Sequence, residues 1–485
     1  MDFTARIVNG SLRYRAAKAV SSLFRFSPQV FCDDDASPSF RVSMNERLRQ
    51  HPAFLSLPPL PLPAQLDSAA INFLRENSLS TPKSIEARAQ LLADYLWSRP
   101  LPSEEKIIRR KLDTELNPVD IEEVRTADPG LADALAYHHV EELVNGSARN
   151  VRNLKAEAIE EWKSLTYSGH NCELYLVARL APNFASTCRA LYEIRKRCPK
   201  FIPRNLFDFG SGLGTVTWAA NTVWPVGCVK EHYMVEPSAD MTHMSEFMFQ
   251  KNFAVHSSET VFPGIYLRRF LPSTKQTYDL VVSAYSMIEL PGTNERRRVL
   301  SNLWDRTAGF LVLIEQGTKA GFSAIMEARD WLMEVGGDDI HIFAPCPHKK
   351  VCGKKDAVCN TIVRFYQFGL TQDKNEPQNE LLSYLIVSRG DWRRYQVPVV
   401  PADSQFLPRV VSFKTGHDTN VTHDICLPSG SIERTVFPKK QTDKSLYFFL
   451  RHAKAGDIVP CEPVDCDLTE DNADQNDGEE TEVAT

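Results

Sequence analysis

Four of the 11 cysteines have a spacing that suits a metal site. Cys346, Cys352 and Cys359 follow one another as C-x5-C-x6-C in a stretch punctuated by proline and glycine, which predicts a loop whose thiolates can converge. Cys426 lies much further along the chain and can complete a set of four thiolates. Structural zinc sites usually pair their cysteines across shorter gaps, so this spacing favours an iron–sulfur cluster held by four thiolates.

Spacing alone leaves two other interpretations of these cysteines open. If the metal is zinc, His348 is an alternative fourth ligand. If there is no metal, these are three ordinary loop cysteines and a buried fourth. However, core cysteines are rarely flanked by lysines, and the lysines here would offset the charge of thiolates: Lys349, Lys350, Lys354 and Lys355. The remaining cysteines are expected to be inert: Cys32, Cys172, Cys188, Cys198, Cys228, Cys461 and Cys466.

A glycine-rich turn, Gly210-Ser211-Gly212-Leu213-Gly214, lies between a short apolar strand pattern that contains Asp208 and a helical pattern. Glycine lets the backbone approach a ligand closely, and the helix N-terminus beyond it favours an anionic group. The spacing is not the G-x-G-x-x-G of dinucleotide sites, and no phosphate-binding lysine follows it. It resembles motif I of class I S-adenosylmethionine-dependent methyltransferases, and the alternative is a plain tight turn.

The residues around this turn extend the prediction to a cofactor pocket. Glu236 ends the next strand, where a carboxylate can accept hydrogen bonds from both ribose hydroxyls, and Asp279 begins the following strand. We therefore predict that the cofactor-binding residues are Asp208, Gly210, Ser211, Gly212, Gly214, Glu236 and Asp279.

No catalytic residue is predicted beside this pocket. The stretch from Ser283 to Leu290 stands where amine methyltransferases carry an Asn/Asp-Pro-Pro-Tyr motif, and neither strand end offers the cysteine nucleophile of carbon-5 pyrimidine methylation. Glu289 and Glu315 are candidate bases, but both can equally be structural carboxylates.

The pattern of elements that must position these residues changes along the chain. Residues 52–63 are rich in proline and predict a stiff linker, and residues 36–170 read as a helical module in which Thr81 caps a helix that begins at Pro82. From residue 171 to 400, strand and helix patterns alternate, which predicts an α/β domain with a mainly parallel, doubly wound sheet and a cysteine-rich loop at 344–360. We predict strands over 206–209, 232–236, 278–284, 310–315, 362–368 and 382–387, and a β-rich extension over 401–460.

Composition and charge limit the class of protein and its partners. Hydrophobic residues are 43% and charged residues 24%, which is typical of a globular chain, and no apolar run approaches a membrane-spanning length. The net charge of −6 argues against a nucleic-acid partner, but the last 25 residues hold ten acids and no lysine or arginine. Residues 1–35 read as a basic amphipathic mitochondrial import segment, with a basic tail as the alternative. The rest is slightly basic, so RNA is a possible partner.

Three segments together resemble the mitochondrial methyltransferase-like protein 17 family: Glu173–Arg179, Leu206–Trp218 and Ala344–Cys359, within a similarity spanning roughly residues 150 to 460. The resemblance implies a class I methyltransferase-like fold that has lost catalysis. It also implies a four-iron, four-sulfur (4Fe-4S) cluster on Cys346, Cys352, Cys359 and Cys426. The implied role is assembly of the small mitoribosomal subunit in the mitochondrial matrix, with small-subunit rRNA and ribosomal proteins as partners and no membrane or DNA.

Two other functions stay open beside this one. The intact glycine turn favours an active S-adenosylmethionine-dependent rRNA methyltransferase, and the cysteines suit a redox- or iron-sensing module in which loss of the cluster stops ribosome assembly. Four basic clusters are candidates for contacts with rRNA phosphates: Arg195–Arg197, Arg296–Arg298, Arg393-Arg394 and Lys439-Lys440.

Overall fold

The structure is a computed structural model, which describes residues 51–102, 165–251, 259–273, 275–354, 357–371, 376–396, 407–414 and 419–460. The predicted import segment, the helical patterns between residues 103 and 164 and the acidic end lie outside the described residues. No helix among the described residues is long and apolar enough to cross a membrane.

The described part of the chain contains helices and strands in an alternating order. The helices are α1 Ala64–Asn77, α2 Pro82–Ser98, α3 His170–Arg197, α4 Thr215–Val223, α5 Ala239–Met248, α6 Thr293–Asp305, α7 Lys319–Val335 and α8 Lys444–His452. The strands are β1 Asn205–Phe209, β2 Glu231–Val235, β3 Ile265–Arg268, β4 Tyr278–Ala284, β5 Thr307–Gln316, β6 Ile340–Ala344, β7 Thr361–Phe365, β8 Gln378–Arg389, β9 Arg409–Lys414, β10 Asn420–Cys426 and β11 Ile432–Pro438.

The predicted doubly wound sheet is confirmed. Its strand order is β3-β2-β1-β4-β5-β8-β6, with β7 also paired to β8. The strands from β3 to β5 pair in parallel, whereas β8 runs antiparallel to its three neighbours β5, β6 and β7. Since the chain moves outward in one direction from β1 to β3 and then in the other through β4 and β5, the order reverses beside β1. Ligands of such sheets bind at this reversal, outside the carboxyl ends of the strands.

Both faces of the sheet are covered because alternate residues of its strands point to opposite sides. Leu280 and Val282 of β4 belong to the apolar core that also contains α1 to α5, while Val281 belongs to a separate core with α6 and α7. The same alternation separates Leu206 from Phe207 in β1. Nearly continuous apolar strands are therefore explained by burial on both faces.

A smaller antiparallel sheet, in the order β11-β10-β9, confirms the predicted β-rich extension. Its core includes α8 and also Phe54 and Leu55, which come from the stretch predicted as a stiff linker. Leu60 of the same stretch forms a parallel bridge with Phe365 of β7. The proline-rich stretch is thus docked along both sheets rather than free between them.

Three elements differ from the sequence-based expectation. Strands β3 and β6 are absent from the predicted set. Helix α8 lies within residues 401–460, which were expected to be β-rich, and its run Leu446–Leu450 is rich in bulky aromatic residues that are frequent in strands. Asp443 caps this helix by accepting hydrogen bonds from the backbone N–H groups of Ser445 and Leu446.

Candidate metal centre and cofactor pocket

The four predicted cysteine ligands lie together around one cavity. The loop that carries Cys346, Cys352 and Cys359 leaves the sheet at the end of β6 and returns at the start of β7. Since β6 and β7 pair with successive parts of the same edge of β8, the two ends of the loop are held close to each other. Cys426 is the last residue of β10, so the small sheet supplies the fourth sulfur.

The four thiols share this buried cavity, so each affects the protonation of the others. Burial, together with the neighbouring Cys346 and Cys352, raises the pKa of Cys359 to about 12. Burial and the other three thiols also raise the pKa of Cys426. Burial raises the pKa of Cys346, although Arg329 opposes the shift. A metal binds the thiolate, so it would take the place of protons that these groups otherwise keep.

Two buried arginines face the thiols, and the sequence reading did not single them out. Arg329 of α7 donates from Nη2 to the backbone oxygens of His348 (3.2 Å) and Lys350 (2.5 Å), which holds the loop on the helix. Arg409 of β9 donates from Nη1 to the backbone oxygen of Gly456 at 2.9 Å. Among the described residues that line the cavity there is no carboxylate. The surroundings therefore suit an anionic thiolate-bound group.

Backbone and imidazole groups complete the surroundings of the sulfurs. The backbone N–H of Lys354 donates to Sγ of Cys352 at 3.5 Å. Nε2 of His348 lies 3.4 Å from Sγ of Cys426, while its Nδ1 lies 3.1 Å from the backbone oxygen of Lys350. His348 thus contacts the site, as expected for the alternative fourth ligand. Within the described part of the chain, no three His, Cys, Asp or Glu side chains have an arrangement that could hold a single metal ion.

The glycine turn follows β1 at the point where the strand order reverses. The backbone N–H groups of Gly210 and Ser211 donate to the carbonyl of Val235 at 2.9 and 3.0 Å, which ties the turn to the end of β2. Gly214 has φ +75°, and a Cβ there would stand 2.5 Å from the ring of Phe249. Gly212 also has positive φ, but a Cβ there would meet nothing closer than 3.7 Å. The middle of the turn is therefore open.

Two buried carboxylates stand beside this turn. Neither carboxylate oxygen of Asp208 has a hydrogen-bond partner, and burial together with nearby Glu236 raises the pKa of Asp208 well above its ordinary value. Glu236 accepts from the backbone N–H of Gly212 and of Ser238, each at 2.9 Å. Since a carboxylate oxygen accepts more than one hydrogen bond, Glu236 can still receive ribose hydroxyls. The unpartnered Asp208 suits a cationic or N–H-bearing ligand, and S-adenosylmethionine fits both.

The prediction that Asp279 belongs to the pocket is wrong. Asp279 is the second residue of β4, and Leu280 stands level with Leu206 near the start of the parallel β1. It therefore lies toward the opposite end of the strands from the glycine turn. Its carboxylate accepts the backbone N–H of Arg204 at 2.7 Å, a structural role. The residue beyond the carboxyl end of β4 that does contact the turn region is Ser286, whose Oγ donates to the backbone oxygen of Phe209 at 3.1 Å.

The two candidate bases beyond β4 and β5 are both engaged in structural contacts. Glu289 receives two hydrogen bonds from Arg99, at 3.0 and 2.5 Å, and a third from the hydroxyl of Tyr167 at 2.9 Å. Oε1 of Glu315 accepts the backbone N–H groups of Met287 and Ile288, whereas its Oε2 is buried without a hydrogen-bond partner. Burial raises the pKa of Glu315 to about 7.

A family model described as mitochondrial small ribosomal subunit Rsm22 matches residues 170–460, more than half of the chain. The chain belongs to the Rsm22 family. It is 33% identical over 420 residues to human ribosome assembly protein METTL17, mitochondrial, and the match covers 85% of both chains. The expected family is thus confirmed.

A more distant relative is Rsm22-cox11 tandem protein 2, mitochondrial, of Schizosaccharomyces pombe, which is 25% identical over 300 residues. That match covers 53% of this chain and 39% of the yeast protein.

Solved methyltransferase structures resemble part of the chain at low identity. Magnesium protoporphyrin IX methyltransferase from Synechocystis is 12% identical with a TM-score of 0.29, over 52% of this chain and 98% of that one. A putative RNA methyltransferase from Pyrococcus horikoshii is 10% identical with a TM-score of 0.24, over 46% of this chain and 84% of that one.

Some of the predicted basic clusters do not form exposed patches. Arg197 is buried against Glu193 and the backbone oxygen of Phe343, and Nζ of Lys196 donates to the backbone oxygen of Phe54. Arg296 is buried and paired with Glu327. A run of basic residues gives no sign that some of its members are buried, because the groups that hold them include Phe343, Phe54 and Glu327, which are distant in sequence. The exposed basic groups in these clusters include Arg297, Arg298, Arg394, Lys439 and Lys440.

Proposed function

We propose that this protein is a mitochondrial assembly factor for the small ribosomal subunit and that it acts by binding small-subunit rRNA and ribosomal proteins in the matrix. The observation that carries the proposal is its similarity to a human mitochondrial ribosome assembly protein along 85% of both chains. A family model of the mitochondrial small ribosomal subunit supports the same role, because it matches the part of the chain that holds both candidate sites.

We further propose that Cys346, Cys352, Cys359 and Cys426 hold a 4Fe-4S cluster. The donor set supports this, because four sulfurs line one cavity that contains buried cations and, among its described lining residues, no carboxylate. When bound, such a cluster supplies a cross-link between the β6–β7 loop and the small sheet, so its binding energy would stabilise their association. Zinc is the alternative occupant, with His348 in place of one thiolate.

We also propose that the pocket at the glycine turn binds S-adenosylmethionine without transferring its methyl group. Asp208 and Glu236 support binding, since one carboxylate is unpartnered and the other keeps capacity for hydroxyl groups. Both carboxylate oxygens of Glu289 are taken up by structural contacts, which supports the absence of a base at that position. Glu315 keeps one unpartnered oxygen and is therefore the remaining candidate base. The intact turn keeps an active rRNA methyltransferase as the second candidate.

Deletion of the gene followed by complementation tests the role in assembly. We expect deletion to deplete the small mitoribosomal subunit in sucrose gradients while the large subunit remains. Wild-type protein should restore it and Cys352→Ser should not, because the cluster ligand is lost. An unchanged small-subunit peak after deletion would contradict the proposed role.

A second assay separates the two candidate functions. Purified protein is incubated with small-subunit rRNA and labelled S-adenosylmethionine, and complementation is repeated with Glu236→Ala. We expect no labelled rRNA and a normal small-subunit peak in the Glu236→Ala cells. Labelled rRNA that disappears with Glu236→Ala, together with loss of the small subunit, would support the active methyltransferase instead.

A further inference from the structure

Strand β3 lies at one edge of the described large sheet and carries an exposed aromatic side chain and an exposed basic side chain. In β3, Ile265 and Leu267 pack toward the apolar core, while Tyr266 and Arg268 alternate with them and are exposed. Residues on the same face of a strand are two positions apart, which places the Cα atoms of Tyr266 and Arg268 about 7 Å apart. An exposed aromatic ring therefore stands beside a guanidinium group on this edge of the sheet.

The chain beyond β3 continues the same surface. Arg269 is exposed, and Phe270 is 77% exposed. Residues 260–271 contain Arg268 and Arg269 but no aspartate or glutamate. We call the exposed group Tyr266, Arg268, Arg269 and Phe270 the β3 patch.

This patch is braced at several points. Arg269 donates from Nε and Nη2 to the backbone oxygen of Pro237, at 3.2 and 3.1 Å. The carbonyl of Pro272 accepts from Nη2 of the buried Arg306 at 2.6 Å, which fixes the chain just after Phe270. The chain on both sides of Phe270 is therefore held in place, so little further backbone freedom is lost when the patch binds a partner.

The patch also lies at the carboxyl edge of the sheet, beside the proposed cofactor pocket. The backbone N–H of Glu236 donates to the carbonyl of Arg268 at 2.9 Å. Glu236, which we propose binds the ribose, is therefore in direct contact with the patch. A ligand that spans the patch would therefore pass the rim of the pocket.

We propose that the β3 patch binds single-stranded RNA, with Phe270 and Tyr266 stacking on unpaired bases and the two arginines contacting phosphates. Exposed aromatic rings interleaved with basic side chains provide both interactions that single strands use. Duplex RNA hides its bases within the helix, so it can use only the basic groups of the patch. This inference rests on the proposed function, since it names the form of rRNA that the protein would recognise.

Fluorescence anisotropy of the full-length protein with a labelled 12-nucleotide single strand, and with a duplex of equal length, tests the inference. Phe270→Ala should weaken single-strand binding about 5- to 150-fold, the effect of losing about 1–3 kcal/mol from one stacked base. Phe270→Tyr should keep the affinity because the ring remains. Equal loss of single-strand and duplex binding, or no loss of either, would overturn the proposed stacking.

The arginines are tested through salt dependence. Arg268→Gln with Arg269→Gln should lower the slope of log affinity against log salt by about 1.4, or about 0.7 for each lost phosphate contact on a single strand. The matched control is Arg75→Gln, Leu79→Ala and Lys83→Gln, which removes two exposed charges and one exposed apolar side chain outside the patch. It should leave affinity and slope unchanged, and an equal change in the control would overturn the assignment.

The outcomes also separate this inference from the proposed function. If wild-type protein sediments with the small subunit but binds no single-stranded RNA, the patch assignment fails and the assembly role stands. If the patch variants bind RNA normally but no longer sediment with the small subunit, the patch contacts a ribosomal protein, and the RNA assignment again fails. If gene deletion leaves the small subunit intact while the patch binds RNA as expected, the assembly role fails instead.

Discussion

Replacing Glu193 with glutamine tests how α3 is joined to the part of the molecule that holds the thiols. The carboxylate of Glu193 is fully buried and receives hydrogen bonds from Arg189 (3.1 Å), Arg197 (2.9 Å), Arg409 (2.7 Å) and the hydroxyl of Tyr384 (2.8 Å). Glutamine has nearly the same shape but no charge, so three buried guanidinium groups would lose their shared counter-ion. Removing one member of a buried ion pair costs about 3–5 kcal/mol.

We therefore expect Glu193→Gln to lower the free energy of unfolding by about 3–5 kcal/mol in urea, followed by tryptophan fluorescence at pH 7. The matched control is Glu259→Gln, which removes the same charge from an exposed pair with Lys251 and should cost less than about 1 kcal/mol. Because Arg409 pairs directly with Glu193, the double variant Glu193→Gln, Arg409→Met should cost less than the two single changes together. If Glu193→Gln and Glu259→Gln have equal effects, this interpretation of the ion network is refuted.

The same carboxylate gives a signed prediction for pH. Burial alone would raise the pKa of Glu193, but Arg409, Arg189 and Arg197 together hold it below its ordinary value. A lowered folded-state pKa contributes stability above the unfolded value of about 4.3, and this stability is lost as pH falls. The wild type should thus lose stability more steeply below about pH 5 than Glu193→Gln does. Parallel curves of unfolding free energy against pH would contradict this sign.

Three further predictions concern the candidate sites. Anaerobically purified Cys352→Ser protein should lack iron and acid-labile sulfide, whereas replacing the half-buried Cys228 with serine should leave both in place. Equal metal content in the two variants would contradict the ligand assignment. Asp208→Asn should change the free energy of unfolding by less than about 1 kcal/mol, because neither carboxyl oxygen has a hydrogen-bond partner to lose, yet weaken S-adenosylmethionine binding about tenfold or more by calorimetry. Unchanged affinity would remove Asp208 from the pocket. Gly214→Ala should lower the melting temperature more than Gly212→Ala, since only the Gly214 Cβ would overlap Phe249, and equal melting would contradict that packing.

The parts of the fold that could be predicted are those whose signal is local. The alternation that separates Leu280 and Val282 from Val281 follows from the pleat of the strand, and the glycine turn follows from the backbone it requires. The convergence of the cysteines was predicted from residue type, punctuation and spacing. Asp279 was misplaced because an acid near a strand gives no indication of which end of the strand carries the ligand.

The groups around the thiols could not be predicted in the same way. Arg409 meets Glu193 across 216 residues of sequence, and no local pattern reports a contact of that separation. Arg329 did leave a signal, because it lies on the apolar stripe of α7 one turn after Ile325. A charged residue in such a stripe needs a buried partner, and here the partners are the carbonyl oxygens of the cysteine loop.

Sedimentation of the protein in mitochondrial extracts tests the central claim most directly. Epitope-tagged protein is followed through a sucrose gradient together with the rRNAs of both subunits. The proposed role predicts that the protein travels with precursors of the small subunit and that Cys352→Ser shifts it to the top of the gradient, while Cys228→Ser does not. Wild-type protein found at the top of the gradient, or with the large subunit, would contradict it.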